Sequence, residues 1–330
     1  MTVRVLYIGG TGEISLACVE AAKRAGHDVT VYNRGRRFDA DLLGVEQIVG
    51  DFTDRATYVT LASGGFDVVC QFLAFSPEDV ERDIETFAGR CGRYVFISTA
   101  SAYVKPIPTP LIVEDTPLGN PFWAYSRSKA ECEARLLGAH RSGRLPVTIV
   151  RPSHTYRERL PSTVIHGDHL AWRLLHGKPV IVHGDGESVW TLTHADDFAR
   201  AFVRICGNEA AIGECIHITD RVGHTWNAIM RTIEHVSGLE ARVCHVLSKT
   251  LVEYDPSWEG PLLGDKSNSM IFDTQKIQRL AGDWRCEVSL EEGIRRTWPL
   301  VRTRVEAGYR PDEAIDGLVD RIVKDHLRAH

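Results

Sequence analysis

Residues 3–32 form one unit that constrains the rest of the chain. A β-branched run, Val3 to Ile8, leads into the glycine turn GGTG, Gly9 to Gly12; Ile14, Cys18, Ala21, Ala22 and Ala25 then recur at helical spacing until Gly26, and a second apolar run follows from Val29 to Tyr32. Strand, glycine turn, helix and strand in so short a span is a βαβ unit. In that context a glycine turn acquires meaning, because bare backbone N–H groups and the positive end of a helix can face a pyrophosphate. Parallel strands of this kind need covering on both faces, so the remaining sequence must supply more strands and more helices.

It does so. Strand-like runs recur at Glu46–Gly50, Asp67–Ala74, Tyr94–Thr99 and Val147–Pro152, with helical patterns between most of them. The alternation predicts an α/β fold of Rossmann type: a doubly wound parallel sheet with a smaller C-terminal substrate-binding subdomain. We expect a dinucleotide-binding domain over 1–152 and a mainly substrate-binding region over 153–330, from which a strand and helix near 180–206 return to the first domain. Beyond Pro152 the pattern loosens, and Tyr254–Ser269 reads as a proline- and glycine-rich loop. Ile315, Leu318, Val319, Ile322 and Leu327 place an amphipathic helix over Arg310–Ala329, to pack on the body or on a second subunit as a homodimer.

Within the turn, Gly9 and Gly12 let backbone approach phosphate, and Thr11 adds a hydroxyl. Two residues depart from the dinucleotide fingerprint. Glu13 sets a carboxylate beside the anion site and must point away from it, while Ser15 stands where a third glycine would serve close packing. The second strand ends in YNRGRR. Asn33 and Arg34, with Arg36 and Arg37 nearby, occupy the place of the acid that accepts from an NAD ribose, and an arginine there suits a 2′-phosphate. NADP is therefore favoured over NAD as the cofactor.

At Tyr125 the chain reads YSRSK, which puts Lys129 one helical turn along on the same face. A phenol of ordinary pKa near 10 is a poor base at neutral pH, but an adjacent ammonium and a cationic nicotinamide both favour the phenolate. Tyr125 could then exchange the proton of a secondary alcohol. The spacing alone is a weak signal; Thr99, at the end of the strand YVFIST just upstream, adds a hydroxyl beside the same helix.

The glycine turn with these three residues resembles the extended short-chain dehydrogenase/reductase superfamily, the NAD-dependent epimerases and dehydratases, in an atypical branch. The likeness covers most of the chain: GGTGEI, GDFTD, FLAF, STASAY, YSRSK, RPSHTY, GDGESVWTLTHADD and FDTQKIQRLAG. It implies an NAD(P)-dependent epimerase or ketoreductase acting on a secondary hydroxyl or keto carbon of a sugar-like, nucleotide-linked or free, small molecule. By that likeness Thr99, Tyr125 and Lys129 are catalytic. Gly9, Thr11, Gly12, Glu13, Ile14, Asn33, Arg34, Asp51, Phe52, Leu73, Ala74, Tyr125, Lys129 and Pro152 bind cofactor, and Thr99, His154 and Trp190 meet substrate.

Two departures narrow the chemistry. Ala100 and Ser101 follow Thr99 where sugar-nucleotide 4,6-dehydratases carry an Asp-Glu pair, so that dehydration is disfavoured. Trp190 stands where nucleotide-sugar members usually place a diphosphate-gripping arginine, and Pro261 and Leu262 fall where a second would be, leaving Lys178 or Lys266 as substitutes. The missing arginine and the WTLTHADD segment are also similar to a branch that includes chloroplast stem-loop-binding proteins, which implies an alternative: a non-catalytic RNA-binding protein of the same fold. A net charge of −5 and the intact Thr99, Tyr125 and Lys129 set disfavour nucleic acid.

His154, His166, His169, His176, His183 and His194 crowd mid-chain without a zinc spacing, so no metal is expected. Eight cysteines without a CxxC pair, no export signal and no apolar run of membrane-spanning length predict a cytoplasmic protein with reduced thiols and no membrane partner.

Overall fold

The computed structural model describes residues 2–35, 44–109 and 111–327. Seven parallel strands form the central sheet: β1 (Arg4–Ile8), β2 (Asp28–Asn33), β3 (Glu46–Val49), β4 (Val68–Gln71), β5 (Arg93–Ile97), β6 (Val147–Pro152) and β7 (Cys215–Ile218). Their order is β7-β6-β5-β4-β1-β2-β3, so the chain reverses its direction of travel between β1 and β4. Outside the carboxyl ends of the strands at such a reversal lies the crevice in which open α/β sheets bind ligands.

The principal helices are α1 (Glu13–Arg24), α2 (Pro77–Phe87), α3 (Ala124–Arg141), α4 (Gly167–Leu175), α5 (Ala195–Cys206), α6 (Trp226–Ser237), α7 (Leu290–Glu306) and α8 (Glu313–Leu327). Alternation along β1 explains the layers. Val5 and Tyr7 face α1 and α5, where Ala17, Cys18 and Ala21 let Phe198 and Phe202 approach; Leu6 and Ile8 face α2 and α3 through Ile84, Phe87 and Leu136. Cys70 and Cys206 lie side by side in the first of these cores, with their sulfurs 3.9 Å apart.

A second core gathers Trp190, Trp226, Trp258 and Trp298. Val180–His183 pairs with Val243–Val246, and Val189–His194 pairs with His154–Tyr156 and Gly223–Thr225. Of the segment 180–206, then, the helix α5 lies on α1, whereas neither strand joins the central sheet; β7 does. The reason is in the side chains: Ile181, Trp190 and Leu192 bury in the second core. The stretch Tyr254–Ser269 is not the open loop its prolines and glycines suggested. Asp255 Oδ1 accepts the Ser257 N–H at 2.9 Å to start one helical turn, Trp258 is buried, and Leu262–Lys266 winds as a π-turn. Helix α8 packs on the body through Val319, Ile322 and Val323, and its Asp316 binds His169, Arg173 and Lys178. Among the described residues no helix is long and apolar enough to cross a membrane.

One buried ion pair locks α3 to the sheet. Arg151 on β6 meets both carboxylate oxygens of Glu133 and donates to the Tyr103 hydroxyl at 2.9 Å and the Glu114 carbonyl at 2.7 Å; Tyr103 in turn hydrogen-bonds His217 on β7. Glu133 is 1% exposed, so removing it strands a guanidinium in the core. Glu133→Ala is expected to cost about 3–5 kcal/mol of folding free energy in urea denaturation. A loss below about 1 kcal/mol would mean that water reaches Arg151.

Candidate active site

The glycine turn leaves β1 with Gly9 at φ +116° and Gly10 at φ +80°, both in the region that disfavours side chains. A Cβ on Gly10 would sit 2.6 Å from Val31 Cγ1, so this residue, missed by the fingerprint reading, lets the turn pack on β2. Gly12 is different: its φ is −88°, and a Cβ there would meet only Ser15 Oγ at 3.5 Å. Ser15 accepts the Gly12 N–H at 2.9 Å and so caps α1, which leaves the first-turn N–H groups of Glu13 and Ile14 without an intrahelical partner. The Glu13 carboxylate turns toward Arg159, 4.0 Å away. Burial raises its pKa, and Arg159 opposes the rise.

Asn33 does not reach outward from the end of β2. Its Oδ1 accepts from the Gly35 N–H at 2.7 Å and Gln47 Nε2 at 2.8 Å, fixing the turn, while Arg34 is exposed. Arg36 and Arg37 lie outside the described residues. Asp51 and Phe52 follow β3: Asp51 caps Thr53 through its Oδ1, and Phe52 lies 3.9 Å beneath the Arg82 guanidinium.

Thr99, Tyr125 and Lys129 come together where β5 ends beside α3. The Thr99 hydroxyl lies close enough to that of Tyr125 to act on its ionisation, and Thr99, Ser101 and Ser126 form a chain of hydroxyls with steps of 3.0 and 2.6 Å. Burial pushes the Tyr125 phenol up to about 12, against the neighbouring Thr99 hydroxyl, which favours its ionisation. The Lys129 ammonium does not point at the phenol in this arrangement. It donates to Ala74 O at 2.8 Å and Ile97 O at 2.7 Å, and burial lowers its pKa to about 8.

Gln71, which sequence did not single out, holds the loop that supplies one of those carbonyls. Its Oε1 accepts the Leu73 and Ala74 N–H groups at 2.7 and 3.1 Å, and its Nε2 donates to Asp83 at 2.6 Å. Asp83 is fully buried among the hydroxyls of Tyr58 and Tyr94; burial raises its pKa to about 6 against these hydrogen bonds.

Two hollows meet at Tyr125. A cleft of about 360 Å³ runs from Ile14 at the start of α1 past Phe72 to Lys129. A cavity of about 280 Å³ lies beyond, between Trp123, Trp190, Asp265 and Lys266. Thr99, Tyr125, Pro152, Ser153 and His154 line both. Burial lowers the His154 pKa to about 3, with Lys266 adding to the effect, so the ring is neutral at physiological pH. Lys178 is elsewhere, paired with Asp316 and Asp320 on α8. Asp265 escaped the sequence reading because its segment looked like a loop. Among the described residues no group of three His, Cys, Asp or Glu side chains converges to hold a metal.

The two glycines should therefore fail differently. Gly10→Ala is expected to lose about 2 kcal/mol or more in urea denaturation, from positive φ plus overlap with Val31. Gly12→Ala should lose less than about 1 kcal/mol, the scale of an N-cap change, yet weaken dinucleotide binding measured by calorimetry. Equal stability losses would contradict the division of labour.

Residues 5–219 match the NAD dependent epimerase/dehydratase family. The chain is 26% identical to 2'-dehydrokanamycin reductase of Streptomyces kanamyceticus, over 86% of this chain and 80% of that protein. It is also 26% identical to chloroplast stem-loop binding protein of 41 kDa b of Arabidopsis thaliana, over 94% and 84%. In fold it is similar to an epimerase from Methanothermobacter thermautotrophicus, with a TM-score of 0.77 at 18% identity over 93% of this chain and 94% of that one. A Bacillus cereus UDP-glucuronic acid 4-epimerase, solved with UDP-glucuronic acid and NAD, gives a TM-score of 0.72 at 19% identity over 91% and 99%. With its seven-stranded parallel sheet and a match across most of that sheet, the chain belongs to the NAD-dependent epimerase/dehydratase family.

Proposed function

We propose that the protein is a nicotinamide-dependent ketoreductase or epimerase acting on a secondary hydroxyl or keto carbon of a sugar-like ring. The observation that carries this reading is the shared wall: Thr99 and Tyr125 border both the cleft that starts at α1 and the cavity beyond it. The residues suit a dinucleotide, since positive-φ glycines bring backbone to the helix end and Glu13 is turned away toward Arg159. A bound nicotinamide supplies hydride exchange with the substrate carbon.

This chain's residues manage the proton and the geometry. Tyr125, protonated at neutral pH, donates to the oxygen of a bound ketone; in the reverse direction it accepts the alcohol proton once nearby positive charge has lowered its pKa. Thr99 orients the phenol, and the hydroxyl chain through Ser101 to Ser126 holds Thr99. Lys129 keeps a cation at the floor of the cleft and pins Ala74 to Ile97. Trp190, 1% exposed in the second core at the edge of the cavity, supplies no cation for a diphosphate. The relative named 2'-dehydrokanamycin reductase supports reduction over epimerisation. Eight free thiols suit a cytoplasmic location.

Tyr125→Phe should retain dinucleotide affinity and lose about 10²–10⁴-fold in turnover. Near-normal turnover in the folded variant would remove the acid/base role. The stem-loop-binding relative supports a second reading as an RNA-binding protein; tight RNA binding unchanged in Tyr125→Phe would shift the balance to it.

We further propose NADP over NAD, on the exposed Arg34 at the end of β2. Arg34→Ala should weaken NADP by about 1.5–3 kcal/mol and leave NAD nearly unchanged in parallel titrations. Equal losses, or an outright NAD preference in the wild type, would overturn it.

A further inference from the structure

The far end of the 280 Å³ cavity holds a carboxylate and an ammonium side by side. Asp265 is 7% exposed, and its Oδ1 is buried without a hydrogen-bond partner; its Oδ2 lies 3.4 Å from Lys266 Nζ. A buried carboxylate oxygen with no donor is unfavourable unless a ligand completes it. Burial raises the Asp265 pKa, opposed by the ammonium of Lys266 and by that of Lys105, which is itself 5% exposed.

The backbone that carries the pair is fixed. The π-turn Leu262–Lys266 presents both side chains, and π-turns recur at functional sites. Asn120 Nδ2 donates to Gly264 O at 2.6 Å and to Ser101 O at 2.7 Å, which ties this turn to the hydroxyl chain beside Tyr125. His183 Nε2 lies 3.0 Å from Lys266 O on the other side.

We propose that Asp265 and Lys266 form a subsite for a vicinal diol of an unphosphorylated sugar-type ring. Asp265 Oδ1 accepts from one hydroxyl, Lys266 Nζ donates to its neighbour, and Trp123 walls the ring. An acceptor beside a donor matches the two hydroxyls of a diol, whereas a diphosphate would set like charge against Asp265. The inference rests on the sugar-like substrate class proposed above.

Quenching of tryptophan fluorescence tests it in the NAD-loaded full chain, with methyl hexopyranosides, their mono-deoxy counterparts and UDP-glucose as probes. Wild type should bind at least one hexopyranoside, and one deoxy position should cost about tenfold in affinity. Asp265→Leu should cost the full sugar about tenfold and that deoxy sugar little, with NAD affinity unchanged; Lys266→Met makes the same comparison at the adjacent hydroxyl and serves alone if Asp265→Leu does not fold. Failure of every hexopyranoside to bind, binding of UDP-glucose alone, or equal losses for full and deoxy sugars would overturn the subsite. Binding is read separately from turnover. Asp265-dependent binding without any turnover would remove the proposed reaction and leave the subsite, while turnover indifferent to Asp265 would remove the subsite alone.

Discussion

The buried ammonium of Lys129 is the interaction on which the centre of the molecule depends. A cation at 2% exposure is tolerated only where polar atoms replace water, and two carbonyls, Ala74 O and Ile97 O, do so here. Those carbonyls belong to the exit of β4 and the end of β5. Both strand ends must therefore hold their positions to within hydrogen-bond tolerance, and the molecule contains the means: Gln71 clamps the β4 exit, Asp83 clamps Gln71, and Tyr58 and Tyr94 satisfy Asp83.

The same economy governs α3 one turn further along the same face. Arg151 and Glu133 compensate each other inside the core, and Tyr103, His217 and Glu114 take up what remains. Helix α3 thus meets the sheet through two polar anchors, Lys129 and Glu133, four residues apart. An apolar contact would permit sliding and rotation; directional bonds at both points fix the rotation that brings Tyr125 to Thr99.

Much of the sheet was legible because its information is local. Strand runs, the glycine turn and α1 follow from period and from turn chemistry, and Tyr125 and Lys129 share a face because four residues make about one helical turn. What escaped depends on residues far apart in sequence. Gly10 is needed because Val31 lies beneath it, Asn33 faces inward because Gln47 captures it, and Lys178 leaves the cleft because α8 brings Asp316 to it. Asp265 was hidden by composition: prolines and glycines suggested a loop, but the burial of Trp258 winds the segment into helical turns. Short strands such as Val180–His183 carry too few residues to declare which sheet they join.

The Asn120 bridge has a bearing on how this scaffold could be redesigned. One amide grips the π-turn at Gly264 and the strand-end loop at Ser101, so the two segments behave as a single mechanical part. Swapping residues 262–266 for the corresponding segment of a relative, in order to change what the cavity accepts, would pull on the loop that positions Thr99 unless position 120 were transplanted with it. The turn beside the cavity and the loop that carries Thr99 are coupled by one side chain, so a library that varies the turn alone disturbs both at once.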